Sequence, residues 1–316
     1  MTRPDRKLAA ALILSGGIGI TSVQDGFIKL LSGAYPFPQM QTIRCGLALL
    51  AIFALMAVRG DLGALKIAKP RLLVIRSFTL AAASALFYVG LAAIPLADAS
   101  AIYFAMPLMV AALSGLVIGE TVGVWRWVAA AAGFVGVVLT ISPGSSVFEP
   151  ASLVALAATL LYAVGHMLAR PLGDTVSLSA MAFYQCAAFV FVALILAGLF
   201  GTGLFHSDAH VSLSYLTRPW VMPTLADSII LLGCAAAAAF GMFIYSAAYR
   251  LASPSFVAPF EYTSMFWAAA LGFIMFGDLP KLATVYGAAI IAGAGLPLIW
   301  FERPSKPVTA PQAVHE

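Results

Sequence analysis

Apolar residues in this chain come in long unbroken runs, and polar residues collect in the short stretches between them. Ten runs stand out, near Leu8–Leu31, Pro38–Val58, Leu72–Ile94, Ala99–Ile118, Val124–Ile141, Ala151–Arg170, Leu178–Phe200, Ser228–Arg250, Ser255–Phe276 and Ala283–Trp300. Each is about twenty residues long, the length at which a helix rising ~1.5 Å per residue crosses ~30 Å of hydrocarbon. The runs are continuous and do not alternate with period two, so they predict helices and not the strands of a membrane barrel.

Composition supports this. Of 316 residues, 62% are hydrophobic and 9% charged, with a mean hydropathy of +0.99. Soluble domains carry about 25% charged residues. The expected partner of such a surface is the lipid bilayer. Arg3, Arg6 and Lys7 resemble the basic start of a signal peptide, but nine further runs follow, so the first is read as a span. Cys45, Cys186 and Cys234 are odd in number and fall inside runs, which argues against a disulfide framework. The net charge of +4 comes from scattered short loops, so no nucleic-acid partner is expected.

Charge placement predicts orientation. With the amino terminus inside, Arg3, Arg6, Lys7, Arg59, Lys66, Lys69, Arg71, Arg76, Arg126, Arg170, Arg250, Arg303 and Lys306 fall on the inner side, thirteen of the seventeen basic residues. The bias follows the positive-inside rule and puts both termini in the cytoplasm. Trp125, Trp127 and Trp300 sit at run ends, as in an interfacial aromatic belt.

The two halves also repeat. "ALFYVGLAAIPLADASAIYF" resembles "MFIYSAAYRLASPSFVAPFEY", and Gly119-Glu120 and Gly277-Asp278 stand 158 residues apart. Earlier runs match at an offset of 141, where "IRCG" meets "YQCA". A longer loop, "GTGLFHSDAHVSLSYLTRPWVMPTLAD", absorbs the difference. Five spans per repeat is an odd number, so the second repeat enters the membrane from the opposite side. The expected fold is all-α and polytopic, with ten transmembrane helices as two inverted five-helix repeats. Residues 1–145 form the first, 146–303 the second, and 304–316 a cytoplasmic tail. Many secondary transporters are built this way, with a site at the repeat interface.

"LADASAIYFAMPLMVAALSGLVIGETVGVWRWVAAAAGFVGVVLTISPG" and "APFEYTSMFWAAALGFIMFGDLP", set in this ten-span frame, resemble the EamA-type branch of the drug/metabolite transporter superfamily. The resemblance runs from about Leu8 to Arg303. It implies a bacterial inner-membrane transporter of a small organic molecule. A weaker likeness to the riboflavin-importer branch implies riboflavin uptake, with export of amino acids or related metabolites as the alternative.

Charges inside a span are expensive facing lipid and mark the interior. Asp25 and Arg44 each lie ~9 Å from the outer end of their spans, with Gln24 and Gln41 nearby. They form either an outer site for a polar substrate group or a structural lock, Asp25 pairing with Lys29 or with Arg44. The 141 offset maps Asp25 onto His166 and Arg44 onto Gln185, so an inner counterpart is expected. Glu261 maps onto Tyr103 at 158. His166 and Glu261 suggest protons as a coupling ion, against a purely structural hydrogen-bonding role. Tyr88, Tyr103, Tyr162, Tyr184, Tyr245, Tyr262 and Trp267 fall within spans. They serve either core packing or stacking on a planar ring. Pro107 and Pro259 are kinks or hinges, and the two Gly-acid pairs are tight turns.

"HSDAH" gathers His206, Asp208 and His210, but it lacks the helical His-Glu spacing of a metalloprotease and reads as a solvated loop. "SGGIG" allows close helix contact and is no nucleotide loop. The rival class, a membrane enzyme, needs a cluster of acids and histidines at one interface, and here they are scattered. No catalytic role and no cofactor is expected.

Overall fold

The computed structural model describes residues 3–67, 70–106, 108–110, 113, 124–141, 149–168, 172, 176–251 and 263–301. Gly119, Glu120, Pro107, Pro259, Glu261, Tyr262 and the tail from 304 lie outside the described residues. Among the described residues the structure is all helical, with no strand. We number the helices α1 (Arg3–Leu31), α2 (Phe37–Val58), α3 (Pro70–Leu91), α4 (Leu96–Tyr103), α5 (Val124–Ile141), α6 (Ala151–Met167), α7 (Leu178–Phe200), α8 (Val211–Thr217), α9 (Leu225–Leu251), α10 (Thr263–Phe276) and α11 (Leu282–Phe301). A 3-10 turn, Asp61–Leu65, follows α2.

Every apolar run coincides with one of these helices, in whole or in part. Three of them, α2, α3 and α7, are long and apolar enough by themselves to cross a membrane. Local chemistry sets several ends. Pro36 and Pro38 open α2, where a missing N–H costs nothing. The Ser177 hydroxyl accepts from the Ala180 N–H at 3.2 Å to start α7. Gly277, at φ 70°, closes α10, with the Gly277 and Asp278 N–H groups donating back to the Phe273 and Gly272 carbonyls. The Gly277-Asp278 turn is therefore observed.

The bundle is apolar outside as well as inside. Leu50, Val58, Phe134, Phe191 and Ile274 are exposed on helix flanks, as a lipid-facing surface requires. Cys45, Cys186 and Cys234 are buried and free. The main helix pairs are α3 with α6, α1 with α9, α2 with α7 and α5 with α11. Further contacts join α3 to α7, α2 to α9, α1 to α10, and α4 to both α6 and α10. Small residues permit the closest of these. A Cβ on Gly136 would lie 2.6 Å from the Gly287 carbonyl oxygen, so α5 and α11 touch backbone to backbone.

One end of the bundle is capped. The expected solvated loop instead folds over it: residues 201–224 contain α8, with Tyr215 wholly buried against Phe37. The Tyr215 ring, with Leu216 packed beside the core, gives that segment a buried face. Arg218 donates to the Ser32 and Gly33 carbonyls, the latter at 2.5 Å. Gln39 clasps Val221 with two bonds, at 2.6 and 3.1 Å. His210 caps α8 through Nδ1 and meets the Glu149 carboxylate through Nε2 at 2.8 Å. Tyr35 donates to Asp227 at 2.7 Å, and Thr224 does the same. Those two hydrogen bonds hold the Asp227 carboxyl below the usual carboxylate range.

Candidate functional site

Beneath the cap lies a buried polar cluster. Asp25 on α1, Gln41 and Arg44 on α2, and Ser84 and Tyr88 on α3 come from three helices that each place these residues within ~5 to 11 Å of their capped ends. Tyr88, 6% exposed, is the hub. Its hydroxyl accepts from Arg44 Nη1 at 2.8 Å and donates to Asp25 Oδ1 at 2.8 Å. Arg44 also lies 4.7 Å from the Tyr88 ring centroid and donates to Gln41 Oε1 at 2.5 Å. Gln41 reaches Ser84 at 3.4 Å. Gln24 Nε2 contacts Tyr88 and Asp25 at 3.2 and 3.4 Å, while Gln24 Oε1 is buried without a partner.

Asp25 and Arg44 are thus joined through a phenol. The alternative pairing of Asp25 with Lys29 does not occur. Lys29 turns away, donates to the Ile94 carbonyl and sits 5.3 Å from the Phe276 ring centroid. An ammonium near a helix end finds a free carbonyl and an aromatic face without entering the crowded cluster.

Aromatic rings continue from the cluster toward the opposite end. Phe87 packs on Tyr88, Tyr103 and Tyr162 with centroids 5.5, 6.0 and 6.3 Å apart. Tyr103 and Tyr162 meet edge to face at 5.6 Å, and Tyr162 lies 6.3 Å from the His166 ring. On the other side of Gln24 a cavity of about 580 Å³ opens between α1, α9 and α10, lined by Gly19, Val23, Phe27, Cys234 and Trp267. That volume suits a drug-sized organic molecule. Gln24 borders both the polar cluster and this cavity.

The structure therefore unites Gln24, Asp25, Gln41, Arg44 and Tyr88, adds Tyr103 and His166 through the aromatic rings, and sets Trp267 across the cavity from them. Tyr184 lies elsewhere: its hydroxyl donates to the Leu65 carbonyl at 2.9 Å and ties α7 to the 3-10 turn. Gln185 is half-buried on α7. Tyr245 is placed only as a backbone position of α9.

Two charged residues escaped the sequence reading. Asp98, buried on α4, accepts from Thr284 Oγ1 at 2.5 Å and faces Lys281 Nζ at 3.4 Å, linking α4 to α11. It lay one residue before the expected fourth span and passed for a loop residue. Arg76, counted only as one of the inner-side basic residues, sits inside α3 and is 7% exposed. Helix α3 begins at Pro70, so Arg76 lies well inside it. Among the described residues no group of three His, Cys, Asp or Glu is placed to hold a metal. His206 pairs with exposed Asp208 at 3.2 Å.

Helices with apolar exposed flanks around a polar, aromatic interior have the build of an integral membrane protein. Residues 8–142 match the EamA-like transporter family. The chain is 25% identical over 242 residues to an S-adenosylmethionine uptake transporter of Rickettsia prowazekii, covering 77% of this chain and 76% of that one. It is 28% identical over 199 residues to a riboflavin transporter of Vibrio cholerae, covering 63% and 60%. A crystal structure at 16% identity superposes with a TM-score of 0.61 over 93% of this chain and 96% of the other, a likeness of fold.

Proposed function

We propose that this chain takes up a small metabolite bearing a nitrogen heterocycle, of the S-adenosylmethionine or riboflavin kind, by alternating access. Ten spans in two inverted repeats, 1–145 and 146–303, rock about the site in the bacterial inner membrane, with both termini and the 304–316 tail cytoplasmic. Helix bounds favour the repeat. Moved by 141, α2 falls on 178–199, inside α7, and moved by 158, α3 falls on 228–249, inside α9. The packing favours it too. Exchanging α1 with α6, α2 with α7, α3 with α9, α4 with α10 and α5 with α11 turns α3–α6 into α9–α1, α3–α7 into α9–α2 and α4–α6 into α10–α1. Each of those contacts is present. Such a pseudo-twofold is what rocking repeats need.

The observation that carries the substrate class is the Asp25–Tyr88–Arg44 chain beside the Trp267-lined cavity. It combines ionic and hydroxyl groups with aromatic faces for a planar ring. S-adenosylmethionine comes first because those relatives match over most of both chains. Riboflavin, a flat ring with a polyol, is the second reading, favoured by the aromatic rings and the Vibrio relative. Coupling to protons through His166 and Glu261 belongs to this proposal.

The test is uptake of labelled S-adenosylmethionine and of labelled riboflavin into proteoliposomes containing the protein. Saturable uptake of one, competed by its unlabelled form, supports the reading and selects the substrate. No uptake of either by protein shown to be folded in the membrane overturns it.

A further inference from the structure

We propose that Arg76 is the anchor of an anion-binding site at the end of the path opposite the cap, and that it takes an oxyanion, a carboxylate or a phosphate. The link to transport rests on the uptake reading; the site itself does not.

Arg76 is deeply buried, yet its Nε and Nη1 atoms have no hydrogen-bond partner. The hydroxyl of Ser77, next along α3 and 2% exposed, is also unpartnered. Five of the described carboxylates are engaged elsewhere: Asp25 with Tyr88, Asp98 with Lys281 and Thr284, Glu149 with His210, Asp208 with Ser214, and Asp227 with Tyr35. Asp61 is exposed, and Asp278 lies near Lys29. An ion taken out of water without a counter-charge costs several kcal/mol, roughly, even after relaxation. A guanidinium offers parallel N–H donors in a fork that fits two oxygens of one oxyanion.

The neighbourhood gives such an anion a way in. Gly90 packs on Ala155, and Leu80 on Gly165. Both pairs set α3 and α6 antiparallel, and the same register brings Arg76 to within one turn of His166. The Arg76 charge is within electrostatic reach of that ring. On α6, Leu153, Ala157 and Leu160 form the outward stripe. At ~100° per residue His166 points roughly 220° around from Leu153, into the bundle. His166 is nonetheless solvent-exposed. An inward-facing residue that water reaches lines an internal vestibule. Tyr162, one turn earlier on the same face, joins that vestibule to Tyr103 and Phe87. Arg76, Ser77, Ser84 and Tyr88 occupy the buried face of α3, so polar groups mark the path over ~18 Å.

Two sources could supply the oxyanion, the carboxylate of a metabolite or the phosphate of an anionic lipid. The full-length protein in detergent is melted with S-adenosylmethionine, with its decarboxylated analogue, and with dioctanoyl phosphatidylglycerol. Alongside it run Arg76→Gln and Arg76→Met. Wild type is expected to be stabilised by one of the two anions and to bind it at least ~tenfold more tightly than Arg76→Gln does. The decarboxylated analogue should bind wild type and Arg76→Gln alike. Stabilisation by S-adenosylmethionine assigns a metabolite carboxylate, and stabilisation by the lipid assigns a headgroup phosphate. If neither anion raises the wild-type midpoint, or either raises Arg76→Gln equally, the site is refuted. Arg76→Met without ligand should melt higher than wild type; a lower midpoint means that Arg76 has an internal structural partner and also refutes the site. Failure of the uptake reading shows separately, as folded protein that moves neither label.

Discussion

Arg44 and Arg76 are the same side chain, almost equally buried, 4% and 7% exposed, in neighbouring helices of one bundle. Arg44 donates to Tyr88 and Gln41 and covers the Tyr88 ring. Arg76 keeps two donor atoms unpartnered. Within low-dielectric surroundings a charge with built-in partners is part of the scaffold, and a charge without them is held ready for something that arrives. Burial alone does not separate the two; the list of partners does.

The largest effect should come from Arg44→Met. Removing the guanidinium leaves the buried Asp25 carboxylate without its counter-charge, a loss of about 3–5 kcal/mol, read as a drop in the melting midpoint. Arg76→Met should move that midpoint the other way, and equal drops in both variants would erase the distinction drawn here. Next comes Tyr88→Phe, which cuts the connection between Arg44 and Asp25 while keeping the ring. A loss of roughly 1–3 kcal/mol is expected, together with reduced uptake. Asp25→Asn should weaken uptake more than folding; normal uptake in both variants would remove the cluster from the transport path. Smallest is the cap. The depressed Asp227 carboxyl stays ionised below the ordinary range, so its contribution is present above the unfolded pKa of about 3.9 and is lost as pH falls through the lower folded value. Tyr35→Phe should move that loss upward in pH, as followed by titration of cap unfolding.

The all-helical class and the placement of apolar runs on helices were legible because a bilayer imposes both length and hydropathy on each segment. The Asp25 and Arg44 layer was legible for the same reason: two charges at equal depth in adjacent apolar runs point at each other. The phenol between them was not, because the sequence does not tell which of many tyrosines turns inward. Arg76 fell inside the third run but was counted only as an inner-side charge, because span ends are blurred by a few residues and six residues of α3 decide between interface and interior. Asp98 was lost to the same blur. The long loop read as polar and solvated, but Tyr215 packed on Phe37, with the Arg218, Gln39 and Tyr35 hydrogen bonds, makes it a cap. Tyr184 shows the opposite failure: an intramembrane tyrosine whose hydroxyl serves a backbone carbonyl of a turn.

The seam between α5 and α11, where Gly136 and Gly287 bring two backbones into contact, stands apart from the polar cluster and from Arg76. The two helices lie far apart along the chain. The Ile291 side chain lies against Gly136 and the Thr140 side chain against Gly287, so the helices key closely into one another. Under the proposed rocking of two halves, this line is the hinge that keeps them joined as they turn. A methyl group at either glycine is then expected to pry the hinge apart, slowing turnover without touching any residue that meets the cargo.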